Sequence, residues 1–144
     1  MKNIKIKNYN PKTDYIEVEN LYKNSETFGG QFDSSRDSKE KLEKLSNSNP
    51  EKIQIATINN KIVGTVTIFE DSRAGWLYRF AVQKEFEKEI SDKLYKKSTQ
   101  ILKKLGHKQV LVYGPDDNLE IEKRYIELGL NKGEKYTCYW KEIK

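Results

Sequence analysis

The order of hydrophobic and polar residues at the start of the chain predicts a strand followed by two helices. Residues 3–9 alternate isoleucine with polar neighbours, as in a strand buried on one face. After Asp14 the apolar spacing becomes helical, at Tyr15, Val18, Leu21 and Tyr22, and we expect this helix to end near Ser25. A second helix is predicted over residues 38–45. Its N-cap is one of two residues, Asp37 or Ser38.

The middle of the chain predicts an antiparallel meander. Two β-branched segments, residues 52–58 and 61–70, flank Asn59 and Asn60. This is a strong hairpin signal, because asparagine tolerates the positive φ of a tight turn. A second turn then leads into a strand over residues 76–82.

After the meander the period of the apolar residues becomes helical again. Ile90, Leu94, Ile101 and Leu105 share one face of a long predicted helix, and Gly106 ends it. Residues 110–113 (VLVY) form a short apolar run, which is typical of a strand buried on both faces.

One more helix and one more strand complete the predicted fold. The helix begins at Asp117 or Asn118 and stops at Gly129, and residues 135–140 form the strand. The order is then β-α-α-β-β-β-α-β-α-β, in which residues 76–113 imply a right-handed crossover between parallel neighbours. We predict a single α/β domain over residues 1–144. Its mixed central sheet has an antiparallel front half, one parallel pair and helices on both faces.

Composition narrows the partners of this domain. The chain has 144 residues, of which 35% are hydrophobic and 34% charged, so we expect one core under a heavily charged surface. No apolar run is long enough to span a bilayer and the first residues lack a signal-peptide core, so we expect a cytoplasmic protein without membrane contact. The net charge of +5 suggests nucleic acid, but lysines alternate with glutamates instead of clustering. We therefore expect no nucleic-acid partner.

Two residues that could carry chemistry each occur once. Cys138 is the only cysteine, so an intrachain disulfide is excluded, and we interpret it as a small buried residue in the last strand. His107 is the only histidine and follows Gly106, where a turn or capping role is usual. We expect no metal site.

Three segments resemble the GCN5-related N-acetyltransferase (GNAT) superfamily in their order and spacing. Residues 59–64 (NNKIVG) resemble its hairpin with Ile-Val-Gly, and residues 77–82 (LYRFAV) resemble its fourth strand. Residues 118–130 resemble its "Asn, then Tyr-x-x-x-Gly-Phe" segment, with Tyr125 at the tyrosine and Leu130 in place of the phenylalanine. The likeness covers almost the whole chain. It implies that superfamily's fold, in which the fourth and fifth strands splay apart.

The resemblance implies direct transfer of an acetyl group from acetyl-CoA, a co-substrate, to a primary amine of a small molecule or peptide. The main chain of Phe80, Ala81 and Val82 would bind the pantetheine and stabilise charge on the thioester oxygen. Tyr125 would protonate the leaving thiolate, because a phenol with a pKa of about 10 is protonated at neutral pH. Asn118 would contact the cofactor. The same residues are also explained as a buried strand, a core-facing tyrosine and a helix N-cap.

The pyrophosphate loop of the superfamily carries glycines, whereas the corresponding residues 82–92 (VQKEFEKEISD) contain none. This stretch is also one residue shorter, and Glu87 stands where a basic or amide residue is usual. Glutamates at a helix start complement its dipole but repel a pyrophosphate. The residues that correspond to cofactor contacts are Lys88, Ile90 and Ser91, and we expect weakened CoA binding.

In the superfamily the first two helices and their loop line the acceptor site, and this chain has Phe28, Gln31, Phe32 and Asp33 there. Aromatic rings beside an acid suit a cationic amine, although an aromatic lid over the core explains them equally well. Glu70 is the predicted base that takes the amine proton, with Glu26 and Asp71 as alternatives. The sequence leaves open which amine is the acceptor, how long the acyl chain is and whether the protein forms a homodimer.

Two other functions compete with this one. A catalytically inactive protein of the same fold, which has lost CoA binding and binds or regulates a partner, is consistent with the glycine-free stretch. A nucleic-acid-binding module would show salt-dependent affinity for polynucleotides, and only the net charge favours it.

Overall fold

A computed structural model describes residues 2–24 and 32–144 of the chain. Its elements are β1 (Ile4–Asn8), α1 (Tyr15–Asn24), α2 (Lys39–Ser48), β2 (Ile53–Ile58), β3 (Lys61–Glu70), β4 (Gly75–Val82), α3 (Glu87–Lys104), β5 (Leu111–Val112) and α4 (Leu119–Glu127). Short 3₁₀ turns precede β2 and α3, at Pro50–Lys52 and Lys84–Phe86. The chain divides into two compact units, Met1–Tyr113 and Gly114–Lys144.

The first unit contains one five-stranded sheet in the order β1-β2-β3-β4-β5. The first four strands are antiparallel, and β5 is parallel to β4. Asn59 and Asn60 form the tight turn between β2 and β3 with φ of 49° and 70°. The mixed sheet and this hairpin confirm the sequence prediction, because both follow from local periodicity and turn chemistry.

Helices cover both faces of this sheet. Ile53 and Ile55 of β2 belong to a buried cluster with residues of α1 and α2. Ala56 lies on the opposite face of the sheet from Ile53 and Ile55. Gly64 pairs with Ala56, and α3 packs against Gly64 on that face. A Cβ atom on Gly64 would lie 2.7 Å from Cγ2 of Ile90, so the close approach of α3 depends on this glycine.

The second unit contains α4 and the C-terminal residues. Asn118 caps α4, since its Oδ1 accepts a hydrogen bond from the Ile121 amide at 3.0 Å. Gly129 follows the helix with a φ of 97°, a left-handed conformation that glycine adopts at little cost. The predicted boundaries of this helix are therefore confirmed at both ends.

Two strand predictions near the end of the chain are wrong in part or whole. The described residues 135–140 form no strand, and Cys138, expected to be buried, is exposed. Their β-propensity is not sufficient, because a strand needs a neighbouring strand to satisfy its main-chain groups. β5 is half-buried on its two residues and Tyr113 is exposed, so the expected strand buried on both faces is also not found.

Among residues 2–24 and 32–144, no helix combines the length and the apolar character that crossing a membrane requires.

Candidate active site

The fourth and fifth strands run side by side only where β4 begins. The parallel ladder joins Trp76 to Leu111 and Leu77 to Val112, and these two pairs are its full extent in the described part of the chain. β4 continues to Val82 along β3 alone. The divergence is the splayed pair that the resemblance implies.

A bulge interrupts β4 immediately after this ladder. Thr67 pairs with Tyr78 and Thr65 with Ala81, so two residues of β4 stand opposite one residue of β3. One of the two, Arg79, has a φ of 48°. The left-handed conformation costs a residue with a Cβ atom about 1–2 kcal/mol, so neighbouring groups must hold Arg79 in place.

The group that holds Arg79 is Asp37, which lies just before α2. The Arg79 Nε donates to both carboxylate oxygens of Asp37 at 2.9 and 3.0 Å, and Nη2 lies 2.9 Å from Oδ2. The side chains are 7% and 2% exposed, so this is a buried ion pair. Asp37 also accepts the Asp33 amide at 2.9 Å. We name Asp37 and Arg79 the bulge pair.

Sequence reasoning missed the bulge pair. Asp37 was one of two candidates for the N-cap of α2, but Ser38 fills that position, since its Oγ accepts the Lys41 amide. The usable signal was a single arginine among the apolar residues 77–82, because a charged residue in a buried strand requires a partner. The partner is 42 positions away and has no sequence signal of its own.

The predicted donor-binding residues Phe80, Ala81 and Val82 follow Arg79 directly. All three are buried, and the last two pair with Thr65 and Gly64 of β3. The bulge therefore sets the direction in which the main chain of these three residues runs.

The turn from β4 to α3 forms without glycine. Gln83 has a φ of −59° and its amide donates to the Val63 carbonyl at 2.8 Å, after which the 3₁₀ turn leads directly into α3. Among the described residues no side chain caps the α3 N-terminus, although Glu87 and Glu89 lie in its first turn. Glu89 instead pairs with Lys2 at 3.3 Å.

The three α3 residues predicted to contact the cofactor differ in exposure. Lys88 is exposed, and Ile90 is fully buried, with its side chain against the position of Gly64. Ser91 is 2% exposed, and its Oγ makes no hydrogen bond to any residue in the described parts of the chain. An unsatisfied buried hydroxyl is uncommon and costs about 1–3 kcal/mol, so it calls for an explanation.

An open cavity of about 610 Å³ adjoins this turn. It lies between α1, the start of β3 and the turn, and its lining includes Glu17, Asn20, Asn24, Ile62, Gln83 and Lys84. Glu17 is fixed there, because its Oε2 accepts the Ile62 amide at 3.0 Å. The lining combines carboxylate, amide and ammonium groups with apolar surface, as in a cleft for a polar small molecule.

The predicted acceptor residues are only partly within the described chain. Phe28 and Gln31 lie outside it. Phe32 packs on the α1–α2 cluster with the Lys23 ammonium 4.6 Å from its ring centre, which agrees with the alternative of an aromatic lid. Asp33 accepts hydrogen bonds from the side chain and amide of Ser35, and these lower its pKa.

The predicted base, Glu70, lies at the hairpin end of β3. Six strand positions separate it from Gly64, the partner of Val82, a distance of about 20 Å. Its carboxylate lies 2.9 Å from both His107 Nε2 and Lys52 Nζ, and hydrogen bonds from these groups lower its pKa. These contacts favour a structural role for Glu70. We name Lys52, Glu70 and His107 the hairpin cluster.

Of the two alternative bases, Glu26 lies outside the described residues. Asp71 lies in the turn that follows β3, and hydrogen bonds from the side chain and amide of Arg73 lower its pKa to about 2. A carboxylate with so low a pKa is a weak base at neutral pH.

Asn118 and Tyr125 belong to the second unit. Asn118 is the N-cap of α4, as one of its two interpretations required. Burial raises the pKa of Tyr125 to about 12, so its phenol stays protonated at neutral pH. Gly114 lies against the Tyr125 ring, where a Cβ atom would come within 3.1 Å of Cε2.

Comparison with solved structures identifies the fold. The chain is 15% identical to an aminoglycoside N-acetyltransferase solved with CoA, with a TM-score of 0.76 and coverage of 99% of this chain and 97% of that one. It is 21% identical to PaiA N-acetyltransferase from Thermoplasma acidophilum in complex with coenzyme A, with a TM-score of 0.74 and 87% of each chain covered. Glucosamine-6-phosphate N-acetyltransferase from Arabidopsis thaliana gives 17% identity, a TM-score of 0.70 and coverage of 96% and 99%.

The chain therefore has the fold of the GNAT acetyltransferases. No protein-family model matches the sequence. No curated protein matches it either.

Proposed function

We propose that this chain is an N-acetyltransferase that moves an acetyl group from acetyl-CoA to a primary amine of a small molecule or peptide. The observation that carries the proposal is the divergence of β4 from β5 after Leu77. It occurs in a fold shared over nearly the full chain with acetyltransferases solved with CoA. In the superfamily that the chain resembles, the donor adds to the fourth strand as a strand-like ligand, and main-chain hydrogen bonds give such a ligand its affinity.

Three features of α3 and its preceding turn suit the diphosphate of CoA. The helix start has no side-chain cap among the described residues, so its dipole and amides favour an anion. Lys84 and Lys88 add positive charge nearby. The orphaned Ser91 Oγ is the third, since a phosphate or pantetheine oxygen would satisfy it.

The glutamates of this stretch oppose the same ligand. The stretch has no glycine-rich wrap of main-chain amides that would offset the negative charges of Glu85 and Glu87 at a bound diphosphate. These carboxylates repel the diphosphate across a short distance. We therefore propose that CoA binds more weakly than it would to a glycine-rich loop.

The reaction forms a bond from the amine nitrogen to the acetyl carbon and breaks the bond from that carbon to sulfur. We propose that the main chain of Phe80, Ala81 and Val82 orients the donor and stabilises charge on the carbonyl oxygen. Tyr125 donates a proton to the departing sulfur, a role that its raised pKa of about 12 permits at neutral pH. The proton that the amine nitrogen loses passes through water and restores the phenol of Tyr125. Asn118 stays the helix cap and a proposed contact of the donor.

Thermal unfolding with and without millimolar acetyl-CoA tests this proposal, and Ser91→Ala sharpens it. A ligand at a hundred times its Kd adds about 2.7 kcal/mol, which raises Tm by several degrees for a domain of this size. Removal of an unsatisfied hydroxyl should raise the Tm of the free Ser91→Ala protein and reduce its shift with acetyl-CoA.

The matched control is Ser98→Ala. Ser98 is also buried in α3, but its Oγ donates to the Leu94 carbonyl at 2.8 Å. This variant should keep the full acetyl-CoA shift. The absence of any shift in the wild-type protein would contradict the proposal and favour the inactive binding protein, which the glutamates and the glycine-free turn support.

A further inference from the structure

The bulge of β4 contains a residue that is poorly suited to it. Arg79 carries a Cβ atom and a long side chain, yet it has a φ of 48° between Tyr78 and Phe80. Glycine or asparagine occupies such positions more readily. The conformation of Arg79 must therefore come from its contacts and not from its own preference.

The contacts of Arg79 fix its side chain at several points. Its guanidinium makes two-point contact with the Asp37 carboxylate. The guanidinium also lies over the Tyr78 ring, with Cζ 4.6 Å from the ring centre. A planar fork held in this way has little freedom to rotate. The chain at Arg79 is thus constrained from its side-chain end.

Asp37 is itself held by its neighbours. Its carboxylate accepts the Asp33 amide at 2.9 Å, and its main-chain carbonyl accepts a hydrogen bond from the Tyr15 hydroxyl of α1, also at 2.9 Å. Ser38 then begins α2 directly after it. The position of the carboxylate is therefore set by α1, α2 and the turn over residues 33–36.

A buried ion pair is seldom the most stabilising choice for a core position, because both charges lose their hydration. What such a pair contributes is geometric specificity, because two-point pairing allows one arrangement of the two side chains. In this protein the arrangement that it specifies is the bulge that precedes Phe80, Ala81 and Val82.

We infer that Asp37 is a positioning residue for acetyl transfer, which acts through Arg79 by holding the β4 bulge that directs the main chain of Phe80–Val82 at the acetyl thioester. The inference rests on the proposed function. It assigns to Asp37 no contact with either substrate.

Two double variants that differ only at residue 79 test the inference. Asp37→Asn/Arg79→Gln and Asp37→Asn/Arg79→Gly both remove the two charges of the bulge pair. Glycine adopts the positive φ of the bulge without strain, whereas glutamine does not. The probe is the ¹³C chemical shift of the carbonyl of [1-¹³C]acetyl-CoA bound to each protein, because donors that polarise the carbonyl displace this shift.

We expect the carbonyl shift of the wild-type complex to be retained in the glycine variant and lost in the glutamine variant. Lys52→Met, which breaks an ion pair at the other end of the sheet, is the control and should keep the wild-type shift. A role in stability alone would lower Tm in both double variants without separating their carbonyl shifts.

The outcomes distinguish the two proposals. If both double variants keep the wild-type shift, the positioning role is overturned while the proposed function stands. If acetyl-CoA does not bind the wild-type protein, the proposed function fails and the role of Asp37 toward the thioester fails with it.

Discussion

An ion-pair cluster lies at each end of β4. The two clusters differ in the main-chain conformation that they stabilise. At the hairpin end, Glu70 is half-buried between Lys52 and His107, beside the regular pair of Glu70 with Gly75. At the other end, the bulge pair is nearly inaccessible and holds a residue in the left-handed conformation. The first cluster secures an arrangement that the ladder already specifies. The second cluster holds a bulge that interrupts the ladder.

This difference shows why burial of charge alone does not identify a functional site. The hairpin cluster contains the only histidine, a lysine and a carboxylate, which looks more like catalytic chemistry than an arginine and an aspartate do. It nevertheless lies beside a regular ladder, about 20 Å from Val82 along the strand. The strained backbone is the more informative signal, since strain persists only where the surrounding structure maintains it.

The largest expected contrast is in stability. Asp37→Ala removes the carboxylate that makes two-point contact with the buried Arg79 guanidinium and should lower the free energy of unfolding by about 3–5 kcal/mol. Glu70→Ala removes a half-buried pair in which the Lys52 ammonium can still reach water, and we expect a loss of about 1–2 kcal/mol. Urea denaturation of both variants measures the contrast. Equal losses would remove the distinction between the two ends.

A second contrast uses the two glycines that face α3. A Cβ atom on Gly64, opposite Val82, would lie 2.7 Å from Ile90 Cγ2 and 3.0 Å from Leu94 Cδ1. On Gly75, at the hairpin end, the three nearest atoms would all belong to the Leu102 side chain, and the closest is the terminal Cδ2 at 2.5 Å. We expect Gly64→Ala to cost about 1–3 kcal/mol and Gly75→Ala less, because one leucine can rotate more easily than two side chains can move.

The same two variants should differ in ligand binding. Ile90 is adjacent to Ser91 at the start of α3, so a displacement there should weaken acetyl-CoA binding. Isothermal titration with acetyl-CoA should give a lower affinity for Gly64→Ala and an unchanged affinity for Gly75→Ala. An unchanged affinity in Gly64→Ala would mean that the start of α3 is not part of the binding site.

The smallest expected effect is a pH dependence confined to the hairpin end. Because the folded-state pKa of Glu70 is lowered by His107 and Lys52, its stabilising contribution is present above its unfolded pKa of about 4.3 and is lost as pH falls through the folded value. Glu70→Gln should therefore have a lower Tm than wild type at pH 6. The gap should narrow below pH 4 in calorimetric scans, and a gap that widens in acid would contradict this account.

Most of the fold was predictable because it depends on local preference. The alternation over residues 3–9, the asparagines at the β2–β3 turn and the helical spacing before Gly106 each act within a few residues. The last predicted strand failed because pairing is not local. Residues 135–140 have suitable side chains for a strand but no ladder partner in the described chain, and β-propensity cannot supply one.

The candidate site likewise combines features that the sequence predicted with features that only the coordinates show. The position of Phe80–Val82 at the end of β4 followed from sequence order and the resemblance. Two features of the start of α3 required coordinates: within residues 2–24 and 32–144, no side chain caps the helix and none bonds the Ser91 hydroxyl. The contacts of Glu70 with the Lys52 ammonium and the His107 ring also required coordinates, since neither partner is close to it in sequence.

Apart from the last predicted strand, the sequence by itself determined the kinds of elements, their order along the chain and the two hairpins that begin and end β3. These follow from side-chain periodicity and turn sterics over short spans. Only the tertiary structure decided the partners of the buried charges. Arg79 meets Asp37 across 42 positions and Glu70 meets His107 across 37. Such pairs form because folding removes the polar groups of both residues from water together, and their cost and geometry exist only in the packed chain.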